Sequence, residues 1–151
     1  PGDDFNTAET AVRADRDRSP YEHGLGWLVN LEKTYFTGKR ALSSEVQRPA
    51  HRRLVRLSVE GNKPPKDAFL YDSMNGKRIG TIKSCVWSPI LKMNIALADV
   101  EFNKGKLPKN IWAEIYYQKE LEWRATWAKC DVSEKAFWVH SRSTATPPNN
   151  F

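Results

Sequence analysis

Short alternating segments separated by turn residues fill the chain from residue 52 onward, and this pattern limits the fold most strongly. In the first segment, Val55, Leu57 and Val59 alternate with polar residues, and a period of two indicates a β-strand. Further strands are predicted at residues 69–71, 78–86, 93–102, 111–117 and 121–128. Short strands at this spacing predict a mainly β fold, either a small antiparallel barrel or a sandwich.

The links between strands carry signals of their own. Asn75-Gly76 predicts a hairpin with a type I′ turn, because that turn needs positive φ at both central positions. In the last two strands, each set of alternating residues is predicted to share one face: Ile111, Ala113, Ile115 and Tyr117 in the first, and Leu121, Trp123, Ala125 and Trp127 in the second.

A segment of different character precedes these strands. Its alternating residues predict a strand within residues 21–36, namely Leu25, Trp27, Val29 and Leu31. Residues 38–47 are predicted to form a short helix that Pro49 ends. The polar and charged residues 1–20 predict an exposed connection.

The charge of the chain favours acidic partners. Lysine and arginine outnumber aspartate and glutamate by 24 to 18, which gives a formal charge of +6 and a pI near 9.4. Nucleic acid, an acidic protein and a polyanionic cofactor all fit this balance. The basic residues are densest at Arg48, His51, Arg52, Arg53 and Arg56. Such a cluster is either a solvated face or an edge that binds carboxylates or phosphates, which arginine contacts in a bidentate manner.

Six tryptophans are many for 151 residues. Most of them are expected in the core, because each indole can bury a large apolar area. The alternative is that aromatic residues on basic strands stack against single-stranded nucleic acid, as they do in small barrels that bind it.

No self-contained active site is evident in the sequence. The two cysteines, Cys85 and Cys130, exclude a disulfide scaffold and a zinc site of the usual spacing. They favour a reducing compartment, which is the cytoplasm, or the mitochondrial matrix in a eukaryote. Both thiols are expected to lack a catalytic role, although Lys129 is a neighbour that can lower the pKa of Cys130. No stretch approaches eighteen apolar residues, so no membrane-spanning helix is predicted.

Three blocks of sequence carry a family resemblance. Residues 19–42 contain Ser-Pro-Tyr-Glu-His-Gly-Leu-Gly-Trp and then Phe-Thr-Gly-Lys-Arg-Ala-Leu, and residues 52–57 read Arg-Arg-Leu-Val-Arg-Leu. The most specific block reads Gly-Lys-Arg-Ile-Gly-Thr-Ile at residues 76–82 and Ser-Pro-Ile-Leu-Lys-Met-Asn-Ile-Ala-Leu-Ala at residues 88–98. In this order and spacing they resemble the T-protein (aminomethyltransferase) family of the glycine cleavage system. Arg56 stands where that family usually has glycine.

The resemblance implies a fold and a division of the chain. It implies a small antiparallel β-barrel of the T-protein C-terminal type, preceded by a short strand-helix segment. By this analogy, residues 1–48 are the end of a folate-binding domain and a linker, residues 49–138 are the barrel, and residues 139–151 are an irregular tail. The family's catalytic aspartate lies upstream of anything in this chain. The resemblance therefore implies either the C-terminal portion of a longer enzyme or a dissociated barrel module, with no catalytic residue here.

The resemblance also implies a chemistry. Family members hold tetrahydrofolate and transfer a one-carbon unit, methyl or aminomethyl, onto its N5. The implied partners are folate, a small methylated or aminomethyl donor, and an acidic lipoyl carrier protein. Some relatives act as demethylases.

Four cofactor-binding candidates carry over by position. Trp27 matches the tryptophan that can lie against the folate site, with a core position as the alternative. Arg52 and Arg53 match paired arginines that can approach the glutamate tail of folate or the substrate, with surface ion pairs as the alternative. Glu22 matches the carboxylate of Ser-Pro-x-Glu, with a hydrogen bond inside its loop as the alternative. Two other functions stay open: a basic, aromatic-rich barrel that binds single-stranded nucleic acid, and a structural domain that only stabilises the upstream half.

Overall fold

The computed structural model describes residues 18–48, 51–101, 106–108 and 110–138. A 3-10 helix (Gly26–Leu28) and an α-helix, α1 (Lys39–Val46), precede six strands. The strands are β1 (Arg52–Val59), β2 (Phe69–Tyr71), β3 (Arg78–Ser88), β4 (Met93–Glu101), β5 (Ile111–Lys119) and β6 (Glu122–Ser133). The predicted helix and the six strands predicted from residue 52 onward are confirmed, with small differences at their ends. The predicted connection before residue 18 and the predicted tail after residue 138 lie outside the described residues, as does Pro49.

The six strands form a closed barrel in the order β1-β4-β3-β2-β5-β6, and every neighbouring pair is antiparallel. The predicted mainly β antiparallel barrel is therefore confirmed. Closure depends on the end of β6, since Cys130 to Ser133 pair with Val59 to Arg56 of β1. The prediction ended this strand at residue 128, but Lys129 and Asp131 alternate with Cys130 and Val132, which contact the core.

The interior of the barrel is filled by aliphatic side chains. Its fully buried members come from alternate strand positions and include Leu57, Val59, Leu70, Val100 and Ile111. All six tryptophans are described, and none is buried; Trp27 is 79% exposed and Trp123 is 71% exposed. The expectation that most tryptophans lie in the core is therefore wrong. Eight strands leave an interior just wide enough for side chains to fill, so six strands leave less room, and the barrel uses small residues such as Ala98 and Ala113 there.

The predicted hairpin between β2 and β3 is confirmed, but the prediction that its turn is of type I′ is wrong. Asn75 has a φ of 61°, whereas Gly76 lies outside the positive-φ residues, so the pair does not form a type I′ turn. Instead the Gly76 amide donates to the Ser73 carbonyl at 3.0 Å, and the Lys77 amide donates to the Asp72 carboxylate at 2.9 Å. The Asp72 side chain thus stabilises a longer loop than an Asn-Gly pair alone predicts.

The strand predicted within residues 21–36 is also wrong. This segment contains turns and the 3-10 helix. Gly24 has a φ of 72°, and the Leu25 amide donates to the Pro20 carbonyl at 2.7 Å, so the chain turns sharply before the apolar alternation begins. A Cβ atom added to Gly26 would lie 2.7 Å from the Tyr21 ring. The close approach of this ring explains why residue 26 is a glycine. The proposed domain boundaries at residues 48 and 138 stay predictions.

Candidate functional site

The segment before the barrel is held against β1 at the point where β6 has ended. Pairing of β1 with β6 begins at Arg56, so the Leu54 amide lies beyond the last β6 partner. That amide donates instead to the Glu22 carbonyl at 2.8 Å. An unpaired buried backbone amide is costly, and the Glu22 carbonyl satisfies this one. This hydrogen bond holds the turn around Glu22 against the barrel, and Trp27 follows that turn in the chain.

A charged cluster joins the same segment to β4. The Arg18 side chain donates to the Asp99 carboxylate from Nε at 3.1 Å and from Nη2 at 2.9 Å. Arg52 donates to the same oxygen at 3.3 Å and to Glu101 at 2.9 Å. Lys77 Nζ lies 3.7 Å from the second Glu101 oxygen. We call these residues the Asp99 cluster: Arg18, Arg52, Lys77, Asp99 and Glu101.

Asp99 is only 5% exposed although it lies on the outer face of the barrel. Its neighbours Ala98 and Val100 alternate with it and are buried inside, so Asp99 points outward and is covered from outside. A buried carboxylate needs charged or hydrogen-bonding partners, and two arginines supply them. Asp99 therefore positions Arg52 and anchors Arg18. The sequence prediction missed both Asp99 and Arg18; the available signal was an aspartate that interrupts an otherwise apolar strand.

Of the predicted site residues, Arg52 and Arg53 lie on opposite faces of β1, because they are consecutive in a strand. Arg52 belongs to the Asp99 cluster and directly faces Glu101 across the β1–β4 ladder. Arg52 therefore forms ion pairs with Asp99 and Glu101, as its alternative interpretation predicts. Arg53 is exposed.

The Glu22 carboxylate closes its own turn. The Ser19 amide donates to this carboxylate at 3.1 Å, and the Glu22 amide donates back to the Ser19 hydroxyl at 3.2 Å. The Ser19 hydroxyl also contacts Glu45 of α1. This reciprocal arrangement matches the loop hydrogen bond that was the alternative to cofactor contact for Glu22.

Trp27 lies in the 3-10 helix and is the most exposed of the tryptophans. Nearby in sequence, Leu28 is 61% exposed and Tyr35 is 83% exposed. The structure thus links Glu22 and Arg52 to each other through Leu54 and the Asp99 cluster, while the Trp27 side chain is exposed.

The cysteine side chains are poor nucleophiles in this setting. Burial raises the pKa of the Cys130 thiol to about 12. Burial also raises the pKa of Cys85. Both cysteines are free thiols. Within the described ranges, no group of three or more His, Cys, Asp or Glu side chains is placed to hold a metal ion.

The barrel is similar in sequence to a domain of known proteins. Residues 52–138 match the family model of the glycine cleavage T-protein C-terminal barrel domain. An aminomethyltransferase of Synechococcus sp. (strain CC9902) is 38% identical over 100 residues, which are 66% of this chain and 27% of the relative. The aminomethyltransferase of Synechococcus sp. (strain WH7803) is 39% identical over 102 residues, 67% of this chain and 27% of the relative. The chain thus spans little more than a quarter of these curated relatives.

The fold also matches a solved structure, that of the glycine cleavage system aminomethyltransferase T from Bartonella henselae. The TM-score is 0.63 at 23% sequence identity, and the match covers 78% of this chain and 31% of the other. Among the helices that the structure describes, none is long and apolar enough to cross a bilayer.

Proposed function

Because this chain belongs to the glycine cleavage T-protein C-terminal barrel family, we propose that it is the C-terminal portion of a tetrahydrofolate-dependent one-carbon transferase. The observation that carries the proposal is the family match over residues 52–138, which contain all six strands of the barrel. The curated relatives are named aminomethyltransferases, which favours an aminomethyl donor over the methylated donors of demethylases.

In this proposal the barrel and residues 18–48 close one side of a folate cleft, and the catalytic residues belong to a preceding region. A covering partner over this segment is supported by three exposed large side chains, those of Trp27, Leu28 and Tyr35. The Asp99 cluster and the Leu54–Glu22 bond support a fixed position for that segment relative to the barrel.

The candidate residues have distinct proposed roles toward tetrahydrofolate. Trp27 would lie against the flat pterin, and exposed Arg53 would approach the anionic glutamate tail. Arg52 shares its guanidinium with Asp99 and Glu101, so its proposed role is to add positive potential while it holds the segment. Glu22 would act by shaping the turn that carries Trp27. Chemistry in such a site is mainly the positioning of two reactants, assisted by a carboxylate outside this chain.

Partners and compartment follow from the same proposal. The positive charge favours an acidic lipoyl carrier protein or the polyglutamate tail of folate. The two free thiols fit the cytoplasm, or the mitochondrial matrix in a eukaryote.

The proposal predicts a loss of folate affinity in the full-length protein when Trp27 or Arg53 is replaced. Trp27→Ala and Arg53→Ala should each weaken tetrahydrofolate binding about tenfold, because a stacked ring and a charge-assisted hydrogen bond each contribute about 1.5 kcal/mol or more. Calorimetric titration measures the affinity. Trp123→Ala and Arg56→Ala are matched controls, since both side chains are exposed elsewhere on the barrel. Unchanged affinity in both test variants would instead favour a domain that only stabilises the upstream half.

The nucleic-acid alternative rests on the exposed aromatic residues of a basic chain. Against it, the most basic part of β1 is partly neutralised, since Arg52 pairs with both Asp99 and Glu101. We therefore expect no retention of single-stranded oligonucleotide in a filter-binding titration at about 150 mM salt. Tight binding whose affinity falls steeply with salt concentration would support nucleic acid and count against the folate proposal.

A further inference from the structure

Aromatic side chains gather on the outside of the barrel around a single carboxylate. They come from β2, β5 and β6, which are neighbours in the sheet. The inward positions of these strands are taken by buried residues such as Leu70, Ala113 and Ala128, so the residues between them point outward. We call this surface the outer aromatic face; it consists of Glu114 with Phe69, Tyr71, Trp112, Tyr116 and Trp127.

The strand register brings these side chains together. Phe69 of β2 and Trp127 of β6 are the direct partners of Glu114 on its two sides. Tyr71 is the partner of Trp112, one step along the same face. Cross-strand partners on one face have Cβ atoms about 5 Å apart, which lets their side chains touch.

Both oxygens of Glu114 are held in place. The Tyr71 hydroxyl donates to Oε2 at 3.0 Å, and the Tyr116 hydroxyl donates to Oε1 at 2.8 Å. Burial and then Glu114 raise the pKa of Tyr71, and the hydrogen bond to Glu114 raises the pKa of Tyr116. Both hydroxyls therefore stay protonated donors near neutral pH. A carboxylate has about four acceptor positions, so two are left for another group.

Two of the rings meet above β5. The Tyr71 and Trp127 ring centroids lie 5.2 Å apart, and their planes cross at 75°. Two rings at nearly a right angle form a corner, and they do so beside Glu114. Such a corner presents the electron-rich face of at least one ring together with a fixed negative charge.

A cation is the ligand that this combination suits. The chain itself already places a cation over one ring of this surface, with Arg78 Cζ 3.8 Å from the Phe69 ring centroid. A phosphate would be repelled by Glu114, and a neutral apolar group would cover this carboxylate without pairing it. Among cations, an alkylated ammonium is weakly hydrated and gains most from aromatic faces.

We propose that the outer aromatic face binds the quaternary or N-methylated ammonium group of a small molecule. Glu114 supplies the opposite charge, and Tyr71, Trp127 and Tyr116 supply the aromatic contacts. The site lies on β2, β5 and β6, whereas the proposed folate residues lie on β1 and the segment before it. The inference is therefore independent of the proposed function.

The test is a titration of the full chain with choline, followed by tryptophan fluorescence and by calorimetry. We expect saturable binding with a Kd on the order of 1 mM. The neutral carbon analogue of choline, 3,3-dimethylbutan-1-ol, has the same shape without the charge, and it should bind at least about tenfold more weakly. Glu114→Gln keeps the size of the side chain and should weaken choline binding about tenfold.

Variants separate this site from the other exposed tryptophans. Trp127→Leu should weaken choline binding about tenfold, whereas Trp87→Leu on β3 should leave it unchanged. Tyr116→Leu is a second variant of the site, chosen because Tyr116 is 58% exposed and its loss should not prevent folding. Neither Glu114→Gln nor Tyr116→Leu should alter tetrahydrofolate affinity in the full-length protein.

Three results would overturn the proposal. The first is equal binding of choline and its neutral analogue, which would show that the surface binds apolar groups without regard to charge. The second is the absence of saturable choline binding at about 50 mM ligand. The third is binding of a single-stranded oligonucleotide that Trp127→Leu abolishes and Glu114→Gln strengthens, because that would assign the face to nucleic acid.

Discussion

Gly80→Ala is expected to destabilise the barrel by about 3 kcal/mol, the upper end of the range for overpacked sites. Gly80 lies in β3 and pairs with Leu70 of β2 and Val100 of β4. A Cβ added there would lie 2.3 Å from the Asp99 carbonyl oxygen and 3.1 Å from the Val100 Cα. Both atoms are backbone, so β3 and β4 would have to separate to accommodate a methyl group.

Urea unfolding followed by circular dichroism measures this loss as a lower midpoint of the transition. Thr81→Ala is the matched control, because Thr81 is the next residue in the same strand and is only partly buried. We expect the control to change stability by less than about 1 kcal/mol. If Gly80→Ala unfolds at the same urea concentration as the control, β3 and β4 do not approach each other closely enough at this position to exclude a methyl group.

Asp99→Ala is expected to lower stability by about 2 kcal/mol and to release the segment before the barrel. Removing one partner of a buried ion pair costs about 3–5 kcal/mol, because the remaining charge is left unpaired. The side chains of Arg18 and Arg52 are 19% and 33% exposed, so water compensates part of that loss. Without Asp99, the ion pair that joins Arg18 to β4 is lost, while the Leu54–Glu22 bond to β1 remains.

Two measurements check the Asp99 prediction. Urea unfolding gives the change in stability, and limited trypsin digestion gives the rate of cleavage within residues 18–48, which should rise several-fold before the barrel is cut. Glu101→Ala is the control, since that side chain is 40% exposed and should contribute less than about 1 kcal/mol. Equal cleavage rates in Asp99→Ala and Glu101→Ala would show that Asp99 does not anchor the segment.

The strands were predictable because their signals are local. Alternation of Val55, Leu57 and Val59 reports one buried face, and the turn signal at Asn75-Gly76 located the strand that follows it. Alternation failed at residues 25–31, where Gly24 turns the chain and neither Trp27 nor Leu28 is buried. The same pattern therefore describes a strand only when another strand lies beside it to pair with.

The candidate site was only partly predictable. Arg52 and Glu22 were named from the resemblance, but their partners Asp99 and Ser19 follow from strand register and turn geometry. The outer aromatic face was not predicted, since Tyr71, Glu114 and Trp127 belong to three different strands. Tryptophans were expected inside because burial of an indole is favourable, yet the narrow interior of six strands admits smaller side chains.

The amino-acid sequence by itself determined the class of fold, the position of its strands and helix, and the family, because periodicity and motifs are properties of neighbouring residues. Only the tertiary structure decided which residues meet: the closure of β6 onto β1, the burial of Asp99 between two arginines, and the ring of aromatic side chains around Glu114. The reason is that contacts across a barrel depend on the pairing register of strands far apart in the chain, and a shift of one residue in that register would send each of these side chains to the opposite face.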